Sequence, residues 1–466
     1  MRYLRRMAEI MTHTIRRIDE KTYYQITYPE GVAFYYREKK AIFFFHSVSV
    51  VSDNQLQEAV NEYDSCLELS YVPSQPKNPY TMPNVELLLT DKCQLACTYC
   101  YSDASLRKKT MSSDRIRSAI DMVFRNAGLR KLFSARENCV HIGFTGGGEP
   151  TCEMDLLVEA IEYAQRKSGK TGIMFDWSLQ TNGQCGKDNA RLLAELGCSS
   201  ISLSMDGVKS VQDRQRPRVD GLSSFDFCTE FIDEISRFGI SIAIRSTLTK
   251  RSSAAFLDFV KLVDAQYPNI NYIQVEPMSI TGRGCNEKDQ QPSVEEMYKI
   301  IAEARAMDLE HTRVSNHNMR LDRYGSYCGS ADFGTTIYVS TSNYISACQE
   351  CTTPNATLGC KHIVGEYDHN DPIICDIEKV YRWNEVKESK QCKDCIALFV
   401  CAGGCRAKMD TQQGKTIKNE RSLYWCSLTK ELIKLEIHDC IFTSHHYQNS
   451  RVLNETSRDK LTVLQI

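Results

Sequence analysis

The chain has 466 residues, 42% of them hydrophobic and 25% charged, and its 57 Lys and Arg nearly balance 59 Asp and Glu for a net charge of −2. That composition suits a globular protein with two or three buried cores and leaves no electrostatic footprint for nucleic acid or an anionic membrane. No run approaches the roughly 18–20 apolar residues that span a bilayer, and the basic start MRYLRRMAEIMTHTIRR lacks a secretion signal's apolar stretch, so the expectation is a cytoplasmic protein.

Residues 1–84 read as a strand and helix extension. Strand-like runs occupy Tyr23–Thr27 and Val32–Tyr36, AIFFFHSVSVV follows from Ala41, and a helix runs from about Asn54 to Leu69. Pro73, Pro76, Pro79 and Pro83 then mark a boundary. Residues 85–310 alternate strand and helix. Strands fall at Val85–Leu89, Cys139–Thr145, Ile173–Leu179, Ser200–Met205, Ser241–Ser246 and Asn271–Glu276. Helices fall at Ser113–Asn126, Met154–Lys167, Asp188–Leu196, Phe225–Phe238, Ala254–Ala265 and Val294–Ala306. This is an α/β pattern, a parallel sheet with helices outside, closed or nearly closed, and six units fit a partial (β/α)6 barrel. In such folds the residues just after each strand carry the chemistry. From residue 311 to 440 the periodicity fades into a cysteine-rich segment, and residues 441–466 read as a polar tail.

The 21 cysteines are the anomaly. A reduced compartment does not sustain a disulfide framework, and free Cys usually packs as a small hydrophobe, which suits Cys66, Cys139, Cys198, Cys228 and Cys440. It does not suit the clusters Cys93, Cys97, Cys100 and Cys392, Cys395, Cys401, Cys405, whose dense spacing indicates metal ligation.

The array LLLTDKCQLACTYCYS, C-x3-C-x2-C directly after the first strand, resembles the signature of the radical S-adenosylmethionine (SAM) superfamily, and the resemblance covers roughly Val85 to Glu310. It implies that Cys93, Cys97 and Cys100 hold three irons of a [4Fe–4S] cube whose fourth iron is chelated by SAM. One electron then breaks the S–C5′ bond to give a 5′-deoxyadenosyl radical. GGGEP at Gly146–Pro150 resembles the family's GGE motif, with Gly147, Gly148 and Glu149 at the SAM ammonium; glycine there allows close approach and positive φ. Thr181 and Asn182 in QTNG, and Ser204 and Asp206 in SMDG, match polar positions toward the ribose. Arg245 matches the residue that pairs the SAM carboxylate, and Tyr99 the aromatic beside adenine. Glu276 is a further candidate for polar contact.

The C-terminal series Cys392-x2-Cys395-x5-Cys401-x3-Cys405, then Cys426, resembles the SPASM domain, with Cys328 and Cys348 as its first half. Asn343 stands where a Gly is expected, and Asn is the residue that best tolerates a left-handed turn. The resemblance assigns Cys328, Cys348 and Cys405 to a nearer auxiliary cluster and Cys392, Cys395, Cys401 and Cys426 to a farther one. Either Cys351 completes the nearer cluster or one iron stays open for a substrate thiol. In all, the resemblance implies three [4Fe–4S] clusters, SAM, a low-potential donor such as flavodoxin or ferredoxin, and a precursor peptide whose leader residues 1–84 would grip by strand addition. The implied reaction is oxidative peptide modification, a thioether or C–C crosslink. An anaerobic sulfatase maturase is the alternative, although its general-base Asp is replaced by Gln349, which takes no proton at neutral pH. A small-molecule radical dehydrogenase and a non-catalytic iron–sulfur scaffold are the others.

Overall fold

The computed structural model describes residues 13–18, 20–67, 83–102, 104, 109–131, 139–317, 319, 321, 336–352, 362–369, 371–374, 392–401, 404–409, 411–412, 415–416, 423–443, 451–454 and 461–466. Cys328 and the boundary prolines Pro73, Pro76 and Pro79 lie outside them.

The chain begins with an antiparallel meander, β1 (His13–Ile18), β2 (Lys21–Tyr28), β3 (Gly31–Tyr36) and β4 (Ala41–His46), then α1 (Asp53–Tyr63), started by a Ser52–Gln55 capping box. Six parallel strands follow: β5 (Asn84–Leu87), β6 (Cys139–Phe144), β7 (Met174–Thr181), β8 (Ser200–Ser204), β9 (Ser241–Leu248) and β10 (Tyr272–Pro277). Among their helices are α2 (Ser113–Lys131), α3 (Met154–Thr171), α4 (Lys187–Glu195), α5 (Lys209–Gln215), α6 (Ser224–Ser236), α7 (Phe256–Gln266) and α8 (Val294–Arg305). All six expected strands and their helices are present. The sheet does not close. β11 (Arg313–Ser315) adds in parallel beside β10, and β12 (Ile337–Val339) in parallel beside β5. β13 (Tyr344–Ser346), β14 (Ile363–Asp368) and β15 (Asp371–Ile374) extend that edge antiparallel, giving an open sheet of eleven strands.

Each parallel strand alternates. Val85, Leu87, Ile142, Trp177, Leu179, Ile201, Leu203, Ile244 and Ile273 are buried in the main core with the helices. Their neighbours Glu86, Gln180, Ser204, Arg245, Gln274 and Glu276 line cavities on the other face. A parallel sheet covered on both faces reads as continuous apolar runs, so this alternation marks a hollow.

The C-terminal region corrects two expectations. β16 (Thr411–Gln412) and β17 (Lys415–Thr416) form a small hairpin, then α9 (Leu423–Phe442) runs straight across the expected boundary at residue 440. Beyond it, β18 (Arg451–Asn454) and β19 (Leu461–Gln465) are no tail. β19 pairs with β4 from Leu461↔Phe45 to Gln465↔Ala41 and completes a six-stranded sheet, because Val463 and Leu464 alternate into its two faces. One face, with Tyr23, Phe34 and Phe43, packs on Leu56 and Val60 of α1. The other packs on α9, where Phe442 meets Tyr28 and Phe44 edge-on at 5.2 and 5.4 Å. Residues 13–67 thus build one helix and four strands of a sheet that β19 and β18 complete.

α9 is wedged between this sheet and α8 and is buried on nearly every side, including at Glu436, His438 and Asp439. Arg305 of α8 answers the two acids, Nη1 2.6 Å from Glu436 and Nε 2.8 Å from Asp439. Arg305→Met strands both carboxylates in the core and is expected to cost about 3–5 kcal/mol in denaturant unfolding; a loss under about 1 kcal/mol would show that the pair is not a joint of the fold.

Candidate active site

Beyond β5 the chain enters the cysteine loop, which is held by backbone on two sides. Gly148 N–H donates to Thr90 O at 2.7 Å and Glu149 N–H to Lys92 O at 2.8 Å. Opposite, Ala96 N–H reaches Pro217 O and Thr98 N–H reaches Gln215 O, at 2.8 and 3.0 Å. None of Gly146, Gly147 and Gly148 has the positive φ anticipated for them. What they supply is room: a Cβ on Gly148 would sit 2.0 Å from Lys92 O.

Cys93, Cys97 and Cys100 border a cavity of about 220 Å³ together with Tyr99, Gly147, Gly148, Glu149, Thr181, Asn182, Ser204 and Arg245. The expected SAM residues thus converge, apart from Asp206. That carboxylate is wholly buried and lines neither large cavity. It accepts from Tyr99 Oη, from Gln215 Nε2 at 2.8 Å and from Thr247 N–H at 2.9 Å, so it positions Tyr99. Glu149 is likewise committed. It accepts from Thr151 Oγ1 at 2.8 Å, Thr181 Oγ1 at 2.7 Å and Asn182 N–H at 2.8 Å, tying the glycine turn to the end of β7. Burial still pushes its carboxyl upward, against those donors.

Arg216 was not legible in the sequence, lying in the connection after α5. Its Nη1 donates to Tyr99 Oη at 2.7 Å and its charge pulls down on the Cys97 thiol, which burial pushes up to about 11. At Cys100 burial also pushes upward, but hydrogen bonds from Ser102 and the Ala104 backbone and the charge of Arg283 bring the thiol below its usual value. Three thiols around one cavity, a glycine cradle that a Cβ would fill and guanidinium charge nearby fit a thiolate-bound cluster with SAM beside it.

A second cavity, of about 470 Å³, adjoins the first and shares Gln180, Arg245, Glu276, Gln349, Glu350 and Lys408 with it. Gln349 and Glu350 come from the turn after Cys348, whose position is tied to the end of β6 by Thr145 Oγ1 donating to Gln349 Oε1 at 3.2 Å. Lys408 reaches in across the Trp425 ring, 4.6 Å from its centroid. Glu86 lies over Gly143, where a Cβ would be 2.2 Å from its carboxylate. Burial raises the Glu86 carboxyl to about 7, against the charges of His141 and Arg245.

Of the C-terminal cysteines, Cys348, Cys351 and Cys405 pack together around Ala407. Asn343 holds its turn without the left-handed conformation expected of it: its carbonyl accepts Tyr367 N–H at 3.0 Å and its side chain accepts from Arg115 at 2.7 Å. Cys392 and Cys395 share one turn, and Cys395, Cys401 and Cys426 are half-buried against the main core. Arg37 of the N-terminal sheet clasps this turn through Lys393 O and Cys395 O, both at 3.0 Å.

Residues 87–263 match the model of the Radical SAM superfamily, so the chain carries a radical SAM domain, which implies a [4Fe–4S] cluster and SAM. Its relatives include the serine-type anaerobic sulfatase-maturating enzyme of Klebsiella pneumoniae, 22% identical over 355 residues, covering 72% of this chain and 85% of that one. The cysteine-type enzyme of Clostridium perfringens is 23% identical over 377 residues, covering 76% and 96%. The structure of native anSMEcpe with bound AdoMet and Cp18Cys peptide shares the fold, with a TM-score of 0.58, 17% identity and coverage of 77% and 97%. Among the described residues no helix is long and apolar enough to cross a membrane.

Two outcomes test the geometry. Gly148→Ala is expected to weaken SAM binding at least tenfold, about 1.4 kcal/mol, measured by equilibrium dialysis, whereas Gly169→Ala, with nothing near its Cβ, leaves it unchanged. Glu86 holds its proton to about pH 7 in the fold but only to the ordinary carboxylate range when unfolded, so the folded state binds more protons between those values and stability falls as pH rises. Glu86→Gln should therefore raise stability by up to about 3 kcal/mol at pH 8 and little at pH 4; equal effects at both would contradict the buried carboxyl.

Proposed function

We propose that this protein is a radical SAM enzyme of the SPASM type that oxidatively modifies a ribosomally made peptide, forming a thioether or carbon–carbon crosslink. The observation that carries this reading is the pair of adjoining cavities. One wall belongs to the Cys93, Cys97, Cys100 loop, the other to Cys348 and Cys405, and six residues face both spaces. A substrate side chain between them lies within reach of SAM on one side and of an auxiliary cluster on the other. When bound, the first cluster supplies the electron that splits SAM into methionine and a radical able to take hydrogen from carbon.

The chain's own groups have separable tasks. The Gly146–Gly148 backbone receives the SAM ammonium, Arg245 its carboxylate, Ser204 the ribose, and Tyr99, fixed by Asp206 and Arg216, flanks the adenine. Glu86, poised near neutrality, takes the proton that leaves the substrate as it is oxidised. The farther cysteines Cys392, Cys395, Cys401 and Cys426 hold a second auxiliary cluster, and a low-potential protein donor supplies the electrons. The peptide partner is supported by the relatives' maturase activity and by the Cp18Cys peptide bound in anSMEcpe. Those relatives also favour a second reading, maturation of a sulfatase Cys or Ser; the amide of Gln349 counts against a base at that position.

Anaerobically reconstituted protein should bind about twelve irons per chain, about four in each of three clusters, and release 5′-deoxyadenosine under dithionite. With the peptide encoded beside its gene it should remove two hydrogens, a loss of about 2 Da. Binding of about four irons or fewer, or no SAM cleavage at full loading, would defeat the proposal; turnover of a sulfatase peptide alone would move it to the second reading.

A further inference from the structure

Four polar groups stand in two neighbouring rows across β5, β6 and β7. The register sets Glu86, Gly143 and Ser178 side by side, and Asn84, His141 and Asp176 side by side in the next row toward the strand starts. Gly143 has no side chain, so the Glu86 carboxylate lies across it, its oxygens 2.2 and 2.3 Å from where a Cβ would stand. Ser178 is the next side chain along that row.

His141 joins the two rows. Its Nε2 lies 3.0 Å from Ser178 Oγ and its Nδ1 2.6 Å from Asp176 Oδ1. A carboxylate only accepts, so Asp176 fixes the proton of the neutral ring on Nδ1 and leaves Nε2 to accept from the Ser178 hydroxyl. Both hydrogen bonds therefore run one way, away from Glu86. The ends differ in exposure. Glu86 lines the larger cavity, whereas the side chains of His141 and Asp176 are 33% and 50% exposed and border neither cavity. Arg245, Glu276, His317, Glu350 and Lys408 share the cavity with Glu86, but only Arg245 and His141 act on its charge. An arginine holds its proton too tightly to pass it on, which leaves His141. Burial pushes the Glu86 carboxyl up to about 7. Burial pushes the His141 imidazole down, but Asp176 and the charge of Glu86 together raise it above its ordinary value. Proton affinities so matched put no steep step between the two groups.

We propose that Ser178, His141 and Asp176 form a proton exit, which carries the proton taken up by Glu86 out of the cavity to solvent. This rests on the reading of Glu86 as proton acceptor, and it says where that proton goes once substrate fills the cavity. One proton leaves the substrate for a Glu86 oxygen. Glu86 passes it across the Gly143 gap to Ser178 Oγ as the Ser178 hydroxyl proton moves to His141 Nε2. The Nδ1 proton of His141 leaves past Asp176 to water, and exchange with water returns the ring to its first tautomer. One proton enters, one departs, and Glu86 is a carboxylate again. Ser178, His141 and Asp176 touch no substrate; they are relay residues.

The test follows the Glu86 carboxyl by infrared spectroscopy after a laser-induced pH jump, in the full-length, cluster-loaded enzyme with SAM bound. Glu86→Gln identifies the band by removing it. In the unsubstituted enzyme the band should titrate near pH 7 and follow the jump. His141→Gln, which hydrogen-bonds but relays no proton, and Ser178→Ala should each make it follow roughly tenfold or more slowly. In His141→Gly, added imidazole should restore the speed in proportion to its concentration, which a merely structural role would not give. A band equally fast in every variant, or a slowed band that imidazole does not rescue, overturns the exit and leaves Glu86 as acceptor. Absence of a Glu86 band near neutrality, or peptide oxidation that survives Glu86→Gln, overturns the reading of Glu86 itself.

Discussion

The parallel pairing of β12 against β5 is the constraint on which the rest of the molecule depends. Ile337 to Val339 run beside Val85 to Leu87, and Leu88 N–H bonds onward to Val339 O at 2.8 Å. One edge of β5 carries the other parallel strands and the other carries the C-terminal strands. The chain leaving β5 becomes the first cysteine loop, and the chain leaving β12 leads through β13 to Cys348. Two thiol-bearing segments some 250 positions apart are thus delivered to one rim, where Thr341 Oγ1 donates to Asp91 Oδ2 at 3.0 Å.

The hollow between them is polar because six strands place ionisable and hydroxylic side chains on one face while the other packs under helices. Arg245, Glu276, Glu86, Glu350 and Lys408 then share a confined volume. Charges in such a space act on one another more strongly than in bulk water. Burial outweighs two neighbouring cations at Glu86, whereas Lys408, which burial alone would push downward, is raised by Glu350 and Glu276. A radical SAM domain in this setting has ionisable groups of both signs lining its cavities.

Much of this was legible in the sequence because alternation and spacing are local signals. The six strands, their helices and the residues following each strand stand where the periodicity puts them. What escaped was set by partners far along the chain. LTVLQ alternates but is too short to read as a strand until β4 is beside it. α9 shows no apolar stripe because sheet and helix cover it from opposite sides. Asp206 looked like a ligand contact since its motif cannot reveal that Tyr99 consumes its carboxylate. Arg216, Lys408 and Glu86 lie in no motif, and only the fold aims them at the cavities.

The sheet shared by the two ends of the chain sets an order of events during biosynthesis. Gln465 Nε2 bonds to Lys39 O across 426 positions, and β4 has an open edge until β19 arrives. On a translating ribosome the meander must wait through those 426 positions before that edge is covered. Arg37, on the same meander, fastens the Cys392–Cys395 turn, so the final clamp on the distal thiols also comes late. That turn is therefore fastened only after its thiols have been synthesised, as β19 docks.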